Sequence, residues 1–440
     1  MSDVLGRVGF GLVMLFIIGA SVVLLTLLPW WMLVVCAAIL AAWMALTRVG
    51  RQTWSVTEVG IATIPQRLGS SSVVIVGIAG VVGVLVALLA MGAGFEATLK
   101  QTGTDDTAIV TRAGSQSEIN SVVDHDTAVL VAQAPQVLKS ANGQPLASPE
   151  LVVVAALPKK SNGLDANVEI RGVGERAWEL RPDVKLIAGR KFQPGLRELI
   201  AGKGAHEQFS GLDVGSSLKL NGQLWTVVGV FDSGDSHNSE VWGDTSIVGQ
   251  TYRRGSSTTS ITVRLTDAEA FDAFKAGLAS DPRLKVDVKT TRAYYNAQSE
   301  NLSRFIRILG TTVAAIMAVG AIFGALNTMY AAVASRAREI ATLRAIGFRG
   351  VPVVVSVLLE TMLLAVLGGL LGAAIAWALF DNYTASTLGA NFSQVVFSFK
   401  VSPPLIWNGL KWALALGFIG GLFPAVRAAR VSVTSGLREL

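Results

Sequence analysis

Apolar and polar positions divide the chain into two apolar ends and a polar middle. Runs of mostly apolar residues cover 9–28, 32–46, 72–93, 305–334, 352–380 and 405–426. Most are near or above the ~20 residues that carry a helix across a bilayer core of ~30 Å. The first two runs are parted by Pro29, Trp30 and Trp31. Proline cannot continue the helical ladder and tryptophan prefers the membrane interface. The pattern therefore predicts an N-terminal helical hairpin over 1–50, with a re-entrant or interfacial second segment as the alternative. A cleaved signal peptide fits less well, because a second apolar run follows at once. Between 48 and 70, Arg48, Arg51, Glu58, Gln66 and Arg67 mix with Trp54, Val56, Val59, Ile61 and Ile64. This reads as an amphipathic segment, spanning 51–71 and lying along the membrane, with Pro65 breaking any helix.

The polar middle, 96–304, has the period of a soluble domain. Short β-type runs at 108–111, 151–156, 167–172, 217–220, 225–231 and 260–265 are separated by Gly, Asp, Asn and Ser clusters. Asn221-Gly222 is a strong hairpin turn signal. Thr266 to Glu269 reads as a capping box ahead of a helix with Phe271, Phe274 and Leu278 on one face. A further helix is expected to start near Arg292 and run unbroken through 305–334 as a stiff stalk. The predicted fold class is an α-helical membrane protein of about six transmembrane helices. A large external α+β domain on a helical stalk is inserted between helices three and four, followed by a loop over 381–404 and a tail over 427–440.

Charge sets the orientation. Arg48, Arg51 and Arg67 precede the third run; Arg336, Arg338, Arg344 and Arg349 separate the fourth and fifth; Arg427, Arg430 and Arg438 follow the sixth. With six spans these segments share one side, which the excess of arginine marks as cytoplasmic, together with both termini. The formal charge of +6 is accounted for in this way, and nucleic acid is not expected as a partner. Charged residues are only 15% of the chain, against about a quarter in soluble domains. One cysteine, Cys36, excludes an intrachain disulfide.

Little in the chain reads as catalytic or metal-binding. The one Gly-Lys pair, Gly202-Lys203, is followed by Gly204 and has Arg197 where a phosphate loop needs glycine. His237 sits in a polar stretch, 232–240, expected to be a solvated loop. No catalytic or metal site is expected.

Four features remain. The segment 336–350 is a short charged helix whose Ile340, Leu343 and Ile346 recur at helical spacing. Glu360 lies about two turns into the fifth run, where an acid is costly and faces protein or water. A polar contact between helices near the interface accounts for it, as does a link to the moving loop. Gly320 and Gly324, and Gly368 and Gly372, have the small-xxx-small spacing of close helix packing or a dimer interface. Asn327 suits an interhelical hydrogen bond.

The stretches from Arg67 through Phe95, GALNTMYAAVASRAREIATLRAIGFRG with the glycine-rich run after it, and LFPAVRAARVSVTSGLREL resemble the MacB/FtsX/LolC-type permeases, the type VII mechanotransmission ABC transporters. The likeness covers about 65–440. Such permeases have four spans, so the hairpin at 1–50 is a departure. The resemblance implies a permease subunit that binds no cofactor itself and relies on a partner ABC ATPase carrying ATP and Mg. It implies that Arg336, Arg338, Glu339, Ile340, Leu343, Arg344 and Gly347 form the coupling helix, with Ile340 and Leu343 on the docking face. It implies a second permease copy, most simply a homodimer, in membrane lipid of the bacterial inner membrane. A periplasmic adaptor and an outer-membrane channel are compatible partners. Export or lipoprotein extraction is the expected role; the alternative is an FtsX-like transmitter that activates a periplasmic cell-wall enzyme.

Overall fold

The computed structural model describes residues 29–389 and 391–430 of the chain. The first apolar run, 9–28, and the tail beyond Arg430 lie outside the described residues. Along the chain come α1 (Trp30–Leu46), α2 (Arg48–Ala62), a 3-10 turn (Ile64–Arg67) and α3 (Leu68–Gln101). The β-rich middle follows: β1 (Thr107–Arg112), α4 (His125–Ala132), β2 (Ala147–Pro158), β3 (Asp165–Val173), α5 (Ala177–Leu180), β4 (Lys185–Gly189) and β5 (Glu198–Gly202). It continues through α6 (Lys203–Gln208), β6 (Ser217–Leu220), β7 (Gln223–Asp232), β8 (Glu240–Asp244), α7 (Thr245–Thr251), β9 (Ser260–Arg264), α8 (Ala270–Ser280) and β10 (Val286–Thr290). The chain ends with α9 (Thr291–Ser335), α10 (Ala337–Ala345), α11 (Gly350–Phe380), β11 (Thr384–Leu388), β12 (Gln394–Ser398) and α12 (Pro403–Arg430).

Among the described residues two compact units result, one of 29–91, 306–382 and 400–430, the other of 92–305 and 383–399. In the helical unit, among the described residues, four helices are long and apolar enough to cross a membrane, or five if the bent pair α1–α2 counts as one. The pair turns by 103°. Thr47 makes that corner: its hydroxyl donates to Trp43 O and accepts from Gly50 N, both at 2.9 Å. Gly50 is required there, because a β-carbon would run into the backbone of Trp43 and Met44. The four long helices pack through small residues. A β-carbon on Gly368 would lie 2.7 Å from Ile75 O of α3, and one on Gly372 would strike Ala79 O. Gly417 and Gly421 of α12 meet Ala365 and Thr361 of α11 in the same way. In lipid, where apolar surface brings no hydrophobic gain, such close backbone approach supplies the packing.

The second unit is built on a ten-stranded mixed sheet in the order β10-β1-β9-β2-β3-β8-β5-β7-β4, with β6 paired to β7. All six strand runs read from the sequence are there. Asn221 and Gly222 both adopt positive φ and close β6 onto β7. The capping box is not formed at Thr266: α8 begins at Ala270, whose N–H is accepted by Asp267. The sequence treats 381–404 as a bare loop. Instead β11 and β12 form a hairpin that belongs to this unit. Phe397 packs edge-on to Phe95. Ser239 Oγ accepts from Val396 N at 2.8 Å.

Candidate coupling site

The helical unit brings its charged residues together where α9 gives way to α10. Arg336 leaves helical geometry (φ −104°, ψ 9°), which breaks the ladder and starts α10 as a new helix. Gly347, at φ +103°, ends it, a conformation that side chains with a β-carbon rarely adopt. Pro352 then sits in the first turn of α11, where its missing N–H costs nothing.

Glu360 of α11 is buried at this junction. Its Oε1 accepts from Arg67 Nη2 at 2.7 Å and its Oε2 from Arg336 Nη1 at 3.0 Å. Thr63 Oγ1 accepts from both arginines, at 3.1 and 2.8 Å. The approach needs Gly60 of α2, since a β-carbon there would sit 3.3 Å from Glu360 Oε2. One carboxylate thus joins the entry to α3, the α9–α10 corner and α11. Arg336, expected among the coupling residues, is committed to this cluster. Arg67 was not singled out, although an acid buried in a span demands a cation and the arginine count places Arg67 on the same side.

The remaining coupling candidates sit on or beside α10. Glu339 is open and lies 3.5 Å from Arg336 Nε. Arg338 and Arg344 both have partners within the chain. Ile340 is 7% exposed and packs with Met329, Val333, Val353 and Val357 in the chain's own core. The open apolar residue of this segment is Ile346, at 69%. Leu343 lines a cavity of about 510 Å³ among α2, α9, α10 and α11, with Arg336 and Glu360 in its wall. Among the described residues, Gly320, Gly324 and Asn327 meet no other helix: a β-carbon on either glycine would touch nothing, and Asn327 is exposed.

The β-rich unit holds a second cluster, which the sequence did not signal. Arg171 on β3 is buried and pairs with Glu118 and Glu150 at 2.9 Å and with Glu169 and Glu240 at 2.8 Å. Arg181 adds a pair to Glu150 at 2.6 Å. Burial would raise Glu150, but Arg181 and Arg171 outweigh it and hold the carboxyl at about 2. Burial and the neighbouring Glu240 carboxylate instead push Glu169 up to about 7. One guanidinium shared among four acids cannot compensate all of them. Glu169 Oε2 also accepts from Asn391 Nδ2 at 3.0 Å and Ser393 Oγ at 3.2 Å, tying the β11–β12 hairpin to β3. His237 is not the solvated residue expected of its stretch: it is buried and pairs with Asp235 at 3.0 Å. Burial opposes its charge, but Asp235 and Glu240 prevail and its pKa is raised.

Apolar spans packed through glycine and a folded β-rich unit define a multi-pass membrane protein with a substantial soluble domain. Sequence comparison makes the class specific. Residues 71–280 match the MacB-like periplasmic core domain and 311–433 the FtsX-like permease C-terminal domain. The chain belongs to the MacB/FtsX-type ABC transporter permeases. It is 25% identical over 312 residues to the macrolide export ATP-binding/permease protein MacB of Neisseria gonorrhoeae, covering 65% of this chain and 47% of that protein. It is 25% identical over 241 residues to the uncharacterized ABC transporter permease YvrN of Bacillus subtilis, covering 50% of this chain and 56% of that one. The chain spans about half the length of the MacB relatives it matches. The periplasmic region of MacB from Actinobacillus actinomycetemcomitans aligns with 44% of this chain and 92% of its own at a TM-score of 0.34 and 16% identity.

Proposed function

We propose that this chain is a non-catalytic permease subunit that couples ATP hydrolysis by a separate ABC ATPase to movement of its periplasmic domain, driving export of a periplasmic or membrane substrate. The reading rests first on α10, a short charged helix between two spans, held at its start by the Glu360 cluster. A push on α10 would reach the α3 entry through Arg67 and α11 through Glu360, so three helices would move together. Helix α9 has 45 residues, ~68 Å at helical rise, and connects β10 directly to the α10 corner. In this reading 336–350 and both termini face the cytoplasm, the β-rich unit faces the periplasm, and a second permease copy completes the transporter.

The test is recruitment of the ATPase. The double charge reversal Glu339→Lys/Arg344→Glu is expected to abolish co-purification of an ABC ATPase from bacterial membranes, while the permease inserts at wild-type level. Unchanged co-purification would remove α10 from the contact. A wild-type chain that brings down no ATPase would refute the reading.

A further inference from the structure

The α1–α2 elbow is the element that neither the family resemblance nor the proposed coupling uses. A groove of about 1270 Å³ runs between it and α11 and α12. Leu40 and Met44 of α1, Met362 and Leu363 of α11, and Leu414 and Phe418 of α12 form its apolar walls. This is many times the space that one water needs, so the groove has room for acyl chains. Arg51 and Trp54 of α2 stand at the mouth. Arg48 lies one turn earlier on the same helix. Both arginines are exposed and neither has a side-chain partner among the described residues. Glu58 is the one acid on α2, two turns beyond Arg51. Trp54 is 61% exposed, and tryptophan with arginine is the pairing that favours headgroup depth.

The geometry is fixed. Helix α1 is apolar on all sides, while α2 carries the charges and turns off by 103° at a capped threonine and an obligatory glycine. With α1 across the bilayer, α2 lies near its plane and presents Arg48 and Arg51 where phosphates sit. We propose that the elbow is a binding site for an anionic phospholipid, with its acyl chains in the groove and its phosphate on Arg48 and Arg51. Basic positions beside pockets between transmembrane helices favour such headgroups. The charge at the mouth distinguishes this site from bulk solvation by lipid, and it rests on the membrane-spanning character of the unit alone.

Cys36 lines the same groove and is the one cysteine of the chain, so a fluorophore attached there reports on what enters. The full chain in detergent is titrated with phospholipid brominated in its acyl chains, bearing either a phosphatidylglycerol or a phosphatidylcholine headgroup. Half-maximal quenching is expected at about 30-fold lower phosphatidylglycerol, the preference two basic contacts supply. Arg48→Gln/Arg51→Gln should be quenched equally by both lipids. Native mass spectrometry of the unlabelled protein should show retained phosphatidylglycerol that the double variant loses. Equal quenching of the wild type by the two lipids would overturn the proposal. So would absence of quenching accompanied by cross-links from Cys36 to residues 1–28 or to Cys36 of a second copy, which would assign the groove to protein.

Discussion

Glu360 shows how one side chain can carry both packing and transmission. A carboxylate in a span is costly alone, and here it accepts from two guanidiniums that both also donate to the Thr63 hydroxyl. Truncating it leaves Arg67 and Arg336 facing each other, with only the open Glu339 near Arg336 as a counter-charge. Glu360→Ala is expected to lower stability by roughly 3–5 kcal/mol, the cost of stranding a partner of a buried pair. Replacing the whole cluster by Arg67→Met/Arg336→Met/Glu360→Leu should recover most of that loss, because the desolvation of all three charges disappears with them. Thermal unfolding in detergent measures both. The same triple variant separates the roles: if the cluster transmits motion, ATPase activity no longer drives export although the protein is stable. A Glu360→Ala variant as stable as the wild type would show that the cluster holds nothing together.

Among the elements, the β11–β12 hairpin rests on a carboxyl whose charge depends on pH. Glu169 joins it to β3, and Glu118, Glu240 and Arg171 face the same carboxyl. Its folded pKa is about 7 against 4.5 when exposed. The folded state therefore binds the proton more tightly. The stabilisation is complete below pH 4.5 and is lost as pH rises through 7, roughly 3 kcal/mol over the interval. Glu150 has the opposite sign: held at about 2, it adds stability above pH 4.5 that is lost only as pH falls towards 2. Thermal unfolding of the β-rich unit should shift to lower temperature between pH 6 and 8.5, and Glu169→Gln should flatten the change. Equal unfolding temperatures at both values would mean that Glu169 does not change charge between them.

This element was also the hardest to read from the sequence. The strands legible there are short apolar runs such as β2 and β7, whereas β11, with one leucine in TASTL, and β8, in a polar stretch, offer no such run. Neither His237 nor the Arg171 cluster could be found by spacing, because four acids from four segments meet only once the sheet has formed. The spans and the charged loop were legible because lipid imposes length and apolarity directly on consecutive residues. In 336–350, helical periodicity gives a face but not what that face meets.

At the scale of the molecule the open question is what covers α9. Only 22% of its most apolar stretch is buried within the chain, against 50% for α3 and α11 and 56% for α12. Ile316, Gly320, Phe323 and Asn327 recur at intervals of four, three and four, and all are uncovered or open to approach. A glycine pair lets a second helix come within backbone distance, and Asn327 facing acyl chains would lack a hydrogen-bond partner that a copy of itself supplies. This face therefore fits a symmetric contact between two copies, in which the same residues meet on either side. With Cys36 replaced by alanine, Gly324→Cys is expected to give a disulfide-linked dimer in native membranes, whereas Val333→Cys, buried inside the chain, is not. Where two copies pair through this face in detergent, Gly320→Leu/Gly324→Leu should convert them to monomer while leaving thermal unfolding of the β-rich unit unchanged. A dimer that survives the leucine pair, with no cross-link at 324, would place the second copy elsewhere and leave α9 to lipid.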